Sequence, residues 1–517
     1  MSASKQRERW ATRIGLILAV AGNAIGLGNF LRFPVQAASN GGGAFMIPYF
    51  LAFVLLGIPL MWIEWTMGRY GGMKGHGTTP GIFDSMWKNR ISKYIGIFGI
   101  FLPLTVAIYY VYVESWTLAY SFFSATEKYA GITSREGMGA FLSGYLGNPN
   151  EYFSGIGTAY IFFLITITIN VLIMYRGIAK GVEVLAKIAM PVLFFFAILL
   201  VIRVFTLGTP DPAYPERNVL NGLGFIWNPD FSQLGNGKVW LAATGQVFFT
   251  LSIGFGAIQT YASYLREKDD VALSGLSTSI FNEFAEVILG GSIAIPAACA
   301  FFGIAATQEI AQSGAFGLGF QSMPLVFGYM PYGNLLGTIW FLLLFFAGIT
   351  SSVAITMPTV AFLQDELGFS RRKAVIATWT FIFIAVQPVI FGAGFLDEMD
   401  FWAGTLGIAA FGFFEVVIFS WFFGIKNGWE ELHRGADIKI PKVFYYIMKY
   451  VTPVYLFILL VAWTIQQGPS VLMMEGVPPE QVPWKWGARA LMLGIIIFLI
   501  LTVRYVWKKR EEEKGGE

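Results

Sequence analysis

The chain is predicted to be an all-α polytopic membrane protein with twelve transmembrane helices, in which an inverted five-helix repeat has broken helices 1 and 6. Three observations carry this reading. Of 517 residues, 56% are hydrophobic and only 13% charged, and the mean hydropathy is +0.61. Apolar runs of about 20 residues, the length that crosses a bilayer, recur along the whole chain. Two of these runs are interrupted, at Gly22–Asn29 (GNAIGLGN) and at Ser252–Gly256 (SIGFG). Glycine disfavours helix, and an unpaired backbone amide in lipid costs several kcal/mol. Such breaks persist only where the freed backbone is buried in protein or lines a cavity, and a matched pair in two halves points to a transporter's binding site.

Spans are expected near 11–35, 42–68, 94–123, 155–175, 184–206, 239–265, 272–304, 335–367, 373–392, 397–424, 444–466 and 486–507. The charge-free stretch Ile310–Gln364 is too long for one span, so SGAFGLGF and the turn Met330–Gly333 read as a re-entrant or capping loop before the eighth helix. Helices one and six start on opposite sides of the membrane and each breaks near its middle. The organisation that follows is a tail (1–10), a first five-helix unit (11–206), a second (239–424), two further helices (444–507) and a tail (508–517).

Most of the 35 Lys and Arg fall on ends and loops that become cytoplasmic if the N-terminus is inside. Lys5, Arg7 and Arg9 precede the first helix without a small-residue cleavage pattern, so that segment is expected to be retained. An even number of spans then returns the C-terminus to the cytoplasm. Short outer loops and a short tail suit a bacterial inner (cell) membrane. Many of the 16 Trp lie near the ends of apolar runs, as interfacial belts require. The composition speaks for a bilayer partner and for no nucleic acid, and it leaves room for a homodimer.

An ion taken into a membrane needs oxygens to replace its water shell. Asn29 and Asn282 offer amide oxygens, Thr250, Thr350 and Ser351 offer hydroxyls, and unwound backbone at Gly22, Ala24 and Ile25 frees carbonyls. Any one Ser or Thr in a membrane helix usually bonds within its own or a neighbouring helix. Their convergence on the two breaks and on the run Ala347–Ser352 (AGITSS) favours a site. Half-helix N-termini at the breaks present free N–H groups and the positive end of the helix dipole, which suits a carboxylate. Gly26 and Gly28 allow close approach of backbone, Tyr110 offers a phenolic donor, and Phe249, Phe255, Val106 and Ile355 would wall an apolar cavity. Ordinary core packing is the competing explanation for each of those four.

Charged residues within spans are costly and default to functional roles. Arg32 and Asp400 fall on the outer side as a candidate outer gate, and Arg7 and Asp365 on the cytoplasmic side as a candidate inner gate, with plain solvated charge as the alternative. Glu286 lies one turn beyond Asn282, on the same face. Glu64, Glu114, Glu283 and Glu415 are assigned only to packing or helix-linking hydrogen bonds. Enzyme chemistry has no foothold: His76 and His433 are the only histidines, Cys299 stands alone in an apolar helix, and GHGTTP (Gly75–Pro80) lacks the lysine and spacing of a phosphate loop.

The stretches GNAIGLGNFLRFP, NGGGAFMIPY, GRYGGMKGHGTTP, AIYYVYVESW, FFTLSIGFGAIQTYASY, FNEFAEVILGGSIAIPAA, FFAGITSSVAI and LDEMDFWAGT, spread from the first helix to the tenth, resemble the neurotransmitter:sodium symporter family and closely its bacterial leucine-transporter branch. The resemblance implies two co-transported Na+ ions. One would be held by the Ala24 carbonyl, Asn29, Thr250, Asn282 and the substrate carboxylate. The other would be held by the carbonyls of Gly22, Ile25 and Ala347 with the hydroxyls of Thr350 and Ser351. Substrate would touch Asn23, Ala24, Gly28, Val106, Tyr110, Phe249, Thr250, Ser252, Phe255, Ser351 and Ile355, and Arg32–Asp400 and Arg7–Asp365 match the family's outer and inner gates.

Two positions refine the expectation. Monoamine transporters of the family carry an aspartate where this chain has Gly26, so here the substrate is expected to bring its own carboxylate. Chloride-dependent relatives carry a small polar residue where this chain has Glu286, so the glutamate would substitute for chloride. Met357 departs from the glutamine of relatives near the inner gate. The expected function is sodium-coupled uptake of a small neutral amino acid such as leucine or alanine by alternating access. A proton-coupled transporter of the same fold and a non-transporting amino-acid sensor are the rivals.

Overall fold

The computed structural model describes residues 10–515 and, among them, contains helices and turns with one isolated bridge between Gly42 and Pro229 and no strand. Each predicted span has a counterpart. Helix one comprises Arg13–Ala24 and Gly28–Ser39, bent by 45° at the break. Helices two to five are Gly43–Met73, Ser92–Ala125, Gly157–Tyr175 and Ile178–Phe205. Helix six consists of Gly237–Leu251 and Ala257–Ala262. Helices seven to twelve are Ala272–Phe302, Gly333–Asp365, Arg371–Phe391, Phe395–Phe422, Val443–Gln466 and Val482–Glu513.

Ten of these are long and apolar enough to cross a membrane alone, and helix one makes eleven when its halves are joined. Helix six fails that test because its break leaves pieces of 15 and 6 residues. Helices three, seven and eight are the most enclosed, whereas four, five, eleven and twelve turn large apolar side chains such as Phe195, Ile202, Phe457 and Phe498 outward. That distribution suits central helices packed on protein and peripheral ones facing lipid.

The two breaks have different local causes. The first half of helix one starts with Thr12 accepting from the Gly15 amide and ends where Ile25 leaves helical geometry at ψ 90°. The chain resumes in a widened turn at Gly28–Arg32. In helix six, Ser252, Gly254 and Gly256 take left-handed conformations with φ of 51°, 76° and 71°. A Cβ on Gly254 would lie 2.3 Å from the Ile408 carbonyl oxygen, and one on Gly256 2.4 Å from that of Gly99, so glycine is needed there for both conformation and space. Further widened turns at Phe284–Gly290 and Asp400–Gly407 carry Glu286 and Asp400. Such turns often mark functional positions in helices.

The expected capping loop before helix eight forms short helices at Ile304–Gln312, Gly314–Phe316, Gly317–Ser322 and Met323–Gly328. It packs on the outer half of helix one so closely that a Cβ on Gly319 would come within 2.7 Å of Leu31.

Candidate functional site

The breaks of helices one and six face each other across a cavity lined by Asn23, Ala24, Gly26, Leu27, Gly28, Asn29, Val106, Tyr110, Phe249, Thr250, Ser252, Phe255, Ser351 and Ile355. All eleven residues expected to touch substrate lie on this lining. Leu27 joins them beyond the sequence expectation; it is the first residue to resume helical geometry after the break at Ile25 and Gly26. Hydrogen bonds tie the two breaks to helices three and eight. Ser252 donates to the Asn23 carbonyl at 2.9 Å, Ser351 donates to the Gly22 and Asn23 carbonyls at 3.2 Å, and the Leu27 amide donates to the Tyr110 hydroxyl at 3.3 Å.

Oxygens cluster on two sides of this cavity. On one side the Gly26 amide donates to Asn29 Oδ1 at 2.9 Å, Asn29 Nδ2 donates to Asn282 Oδ1 at 2.8 Å, and Asn282 Nδ2 donates to Thr250 Oγ1 at 3.0 Å. Glu286 completes this cluster. It accepts from the Thr250 hydroxyl, from Gln246 Nε2 at 2.5 Å and from the Tyr49 hydroxyl at 2.9 Å. Gln246 and Tyr49 escape a sequence reading because they are ordinary-looking polar residues whose only signal is proximity to Glu286. On the other side, Thr350 Oγ1 lies 3.1 Å from the Ala347 carbonyl oxygen, Ser351 reaches the Gly22 carbonyl, and a Cβ on Gly22 would stand 3.0 Å from that of Thr350. Among the described residues no group of three or more His, Cys, Asp or Glu could hold a metal ion. The donor sets at both clusters are hydroxyl, amide and carbonyl oxygens, chemistry that fits a hard monovalent cation rather than a transition metal.

The outer pair differs from a closed gate. Arg32 and Asp400 line the same vestibule, which shares Leu27, Gly28, Tyr110 and Phe249 with the cavity, but make no direct ion pair. Arg32 instead lies over the Phe249 ring, 4.1 Å from its centroid, and Asp400 accepts from the Tyr109 hydroxyl at 2.5 Å. Each charge is engaged by another side chain, which is the physical reason that the expected contact is absent. Of the inner pair, Arg7 lies outside the described residues, and Asp365 ends helix eight. Met357 Sδ accepts from Arg371 at 3.7 Å.

The remaining intramembrane carboxylates link helices, as expected, and one does more. Glu64 accepts from the Gly254 amide at 2.6 Å and so caps the unwound turn of helix six. Glu415 accepts from Gln259 at 2.7 Å, Glu283 Oε1 lies 2.9 Å from the Tyr49 hydroxyl that it shares with Glu286, and Glu114 accepts from Asn170 at 3.1 Å.

Comparison with known proteins agrees with this geometry. The profile of the sodium:neurotransmitter symporter family matches residues 7–136 and 140–509. An uncharacterized sodium-dependent transporter of Methanocaldococcus jannaschii is 32% identical over 515 residues, covering 96% of this chain and 97% of the relative. A sodium-dependent dopamine transporter of Caenorhabditis elegans is 26% identical, covering 81% of this chain and 74% of the relative. Among solved structures, MhsT in complex with L-phenylalanine superposes with a TM-score of 0.76 at 28% identity, over 88% of this chain and 99% of that one.

Proposed function

The chain belongs to the sodium:neurotransmitter symporter family, a family of multi-pass, sodium-coupled transporters and not of enzymes, and on that premise we propose that it takes up a small neutral amino acid. The observation that carries this reading is the crowding at Gly26. A Cβ there would stand 2.9 Å from Ser351 Oγ and 3.1 Å from the Tyr110 hydroxyl, which leaves no room for a side-chain carboxylate. Among the described residues no Asp or Glu lines the cavity. A carboxylate that completes the site therefore arrives with the substrate, where the Tyr110 hydroxyl, which accepts from the Leu27 amide, is left to donate to it at the positive end of the resumed helix. The apolar walls Val106, Phe249, Phe255 and Ile355 suit an aliphatic or aromatic side chain, and the L-phenylalanine in complex with MhsT supports that class.

Two Na+ ions accompany the substrate in this proposal. One binds at Ala24, Asn29, Thr250 and Asn282 together with the substrate carboxylate, and the other at Gly22, Ile25, Ala347, Thr350 and Ser351. The first arrangement couples ion and substrate directly, because they share a ligand. Glu286 supplies next to it the negative charge that chloride would otherwise bring. Alternating access rocks helices one, two, six and seven against the rest, within the two five-helix units proposed from sequence. Arg32–Asp400 closes the outside and Arg7–Asp365 the inside. An inner-membrane protein with both termini cytoplasmic, alone or as a homodimer, fits the charge distribution.

The test is uptake of radiolabelled leucine, alanine and phenylalanine into proteoliposomes with and without an inward sodium gradient. Gradient-driven accumulation of any of them supports the proposal. Sodium-independent uptake that collapses with a protonophore, or saturable binding without accumulation, overturns it.

A further inference from the structure

The cytoplasmic ends of helices one, two, six and seven all meet the connection between helices ten and eleven, which contains the short helix Ile425–Leu432. Two kinds of contact are made there. The Arg69 side chain, at the end of helix two, is fully buried, and its five N–H groups are all spent on this connection and its neighbour. Nε and Nη2 reach Glu431 Oε1 at 3.2 and 3.0 Å, Nη2 also reaches the Glu431 carbonyl, and Nη1 reaches the carbonyls of Asp269 and Arg434 at 2.6 and 2.7 Å. The Asp437 amide donates to Asp270 at 3.0 Å, and Gly435 packs so tightly that a Cβ would meet the Lys268 carbonyl oxygen at 2.3 Å. Breaking a buried charge from its partners is costly, so helix two, the connection from six to seven and the connection from ten to eleven form one unit.

Helix one is fastened to that unit differently. Arg13 forks between Asp437 at 2.8 Å and Asp270 at 3.0 Å, with its own side chain 46% and that of Asp437 58% exposed. The Asp437 pair, exposed on both sides, contributes only about 0–1 kcal/mol, and Asp270, though buried, also accepts from the Asp437 and Leu273 amides at 3.0 Å, so its charge stays hydrogen-bonded when Arg13 turns to water. On its other side the start of helix one is held by Glu183 of helix five, which accepts from the Ala11 amide at 2.8 Å and the Thr12 hydroxyl at 2.7 Å.

We propose that the connection between helices ten and eleven is a cytoplasmic clasp on the rocking helices, and that Arg13 is its release point, a positioning residue for inward opening. The inference rests on the alternating-access reading above. It requires no particular substrate: the inner half of helix one leaves the clasp by exchanging two carboxylates for water, while Arg69 keeps the rest of the clasp assembled.

The experiment uses the full-length protein in sodium-containing liposomes, with Cys299→Ala as background and Leu16→Cys, a buried site beside Arg13, as the reporter thiol. Arg13→Ala is expected to speed labelling from the cytoplasmic side by about threefold or more, as a shift toward the open population requires. Arg13→Lys, which reaches one carboxylate, and Asp437→Asn, which leaves the Asp270 contact, are expected to fall between Arg13→Ala and the parent. Glu267→Gln breaks the exposed Arg434–Glu267 pair without touching helix one and is expected to label at the parental rate. Parental labelling in both Arg13→Ala and Asp437→Asn, equal acceleration by Glu267→Gln, or no labelling in any variant overturns the proposal. Because labelling needs no amino acid, a wrong substrate assignment fails the uptake assay and leaves this result standing.

Discussion

The Arg32 guanidinium stacks on the Phe249 ring, 4.1 Å from its centroid, so the outer cation rests on a wall of the central cavity while its expected partner Asp400 is held by Tyr109. In the proposed outer gate, this stacked cation is the group that closes over the substrate. Arg32→Ala is therefore expected to raise the dissociation rate of bound amino acid by about tenfold, or ~1.4 kcal/mol, measured as release of radiolabel from sodium-loaded protein. An unchanged release rate removes Arg32 from the outer gate.

The oxygens of Gly22, Ala347, Thr350 and Ser351 meet with no charge among them. If these oxygens hold the second proposed sodium ion, removing two hydroxyls leaves it short of ligands without unfolding the helix. Thr350→Ala with Ser351→Ala is expected to raise the sodium concentration for half-maximal binding about tenfold or more, read by sodium titration at fixed substrate. Unaltered sodium dependence takes the second ion out of the proposal.

Glu286 receives hydrogen bonds from Thr250, Gln246 and Tyr49, three donors that equally suit a spherical anion. Glu286→Ser is expected to leave them facing a gap and to make sodium-coupled uptake respond to chloride, with the parent indifferent. Uptake assays with chloride exchanged for gluconate give the comparison, and chloride indifference in the variant contradicts the charge-replacement role.

Glu64 holds the Gly254 amide at the left-handed turn of helix six. Glu64→Ala leaves that buried N–H without an acceptor, at a cost of about 1–3 kcal/mol. A lowered thermal unfolding midpoint in detergent is expected, with Glu64→Gln, which keeps an acceptor oxygen, closer to the parent.

The Arg13 guanidinium, through its hydrogen bond, holds the Asp437 carboxyl below its ordinary value. A depressed carboxylate keeps its charge as the pH falls through the usual range near 4 and loses it only lower. Reporter-thiol exposure at the clasp is thus expected to stay flat between about pH 7.5 and 5, within the range where this carboxylate remains ionised. Clasp opening in that window contradicts the assignment of Asp437.

Much of this architecture is legible in the linear chain, because a bilayer turns local composition into spans and because glycine runs in apolar segments have few explanations. Gly22–Asn29 and Ser252–Gly256 locate the cavity, and the hydroxyl-rich run Ala347–Ser352 locates the helix that faces it. What escapes depends on partners distant in sequence. Glu64 reads as a linking carboxylate until Gly254 is found 190 positions away. Arg69 and Arg13 read as cytoplasmic positive charge, yet one is buried in a complete set of acceptors and the other is a half-exposed fork. Side-chain chemistry is the same in both cases, and only burial separates a fixed joint from a releasable one. Arg32 and Asp400 illustrate a different gap: a sequence suggests which charges can pair, but not in which conformational state they do so.

The break in helix six also bears on how the protein is made. As synthesised, Val239–Leu265 is a charge-free apolar stretch long enough to partition into lipid. The surroundings of its left-handed turn come from elsewhere: Glu64 of helix two accepts from the Gly254 amide, and the Ile408 carbonyl of helix ten packs where a Cβ on Gly254 would stand. The latter is absent until the ribosome has completed most of the polypeptide. Helix six is thus synthesised between its two neighbours, after the carboxylate that holds its turn and before the helix ten backbone that leaves room there for glycine alone.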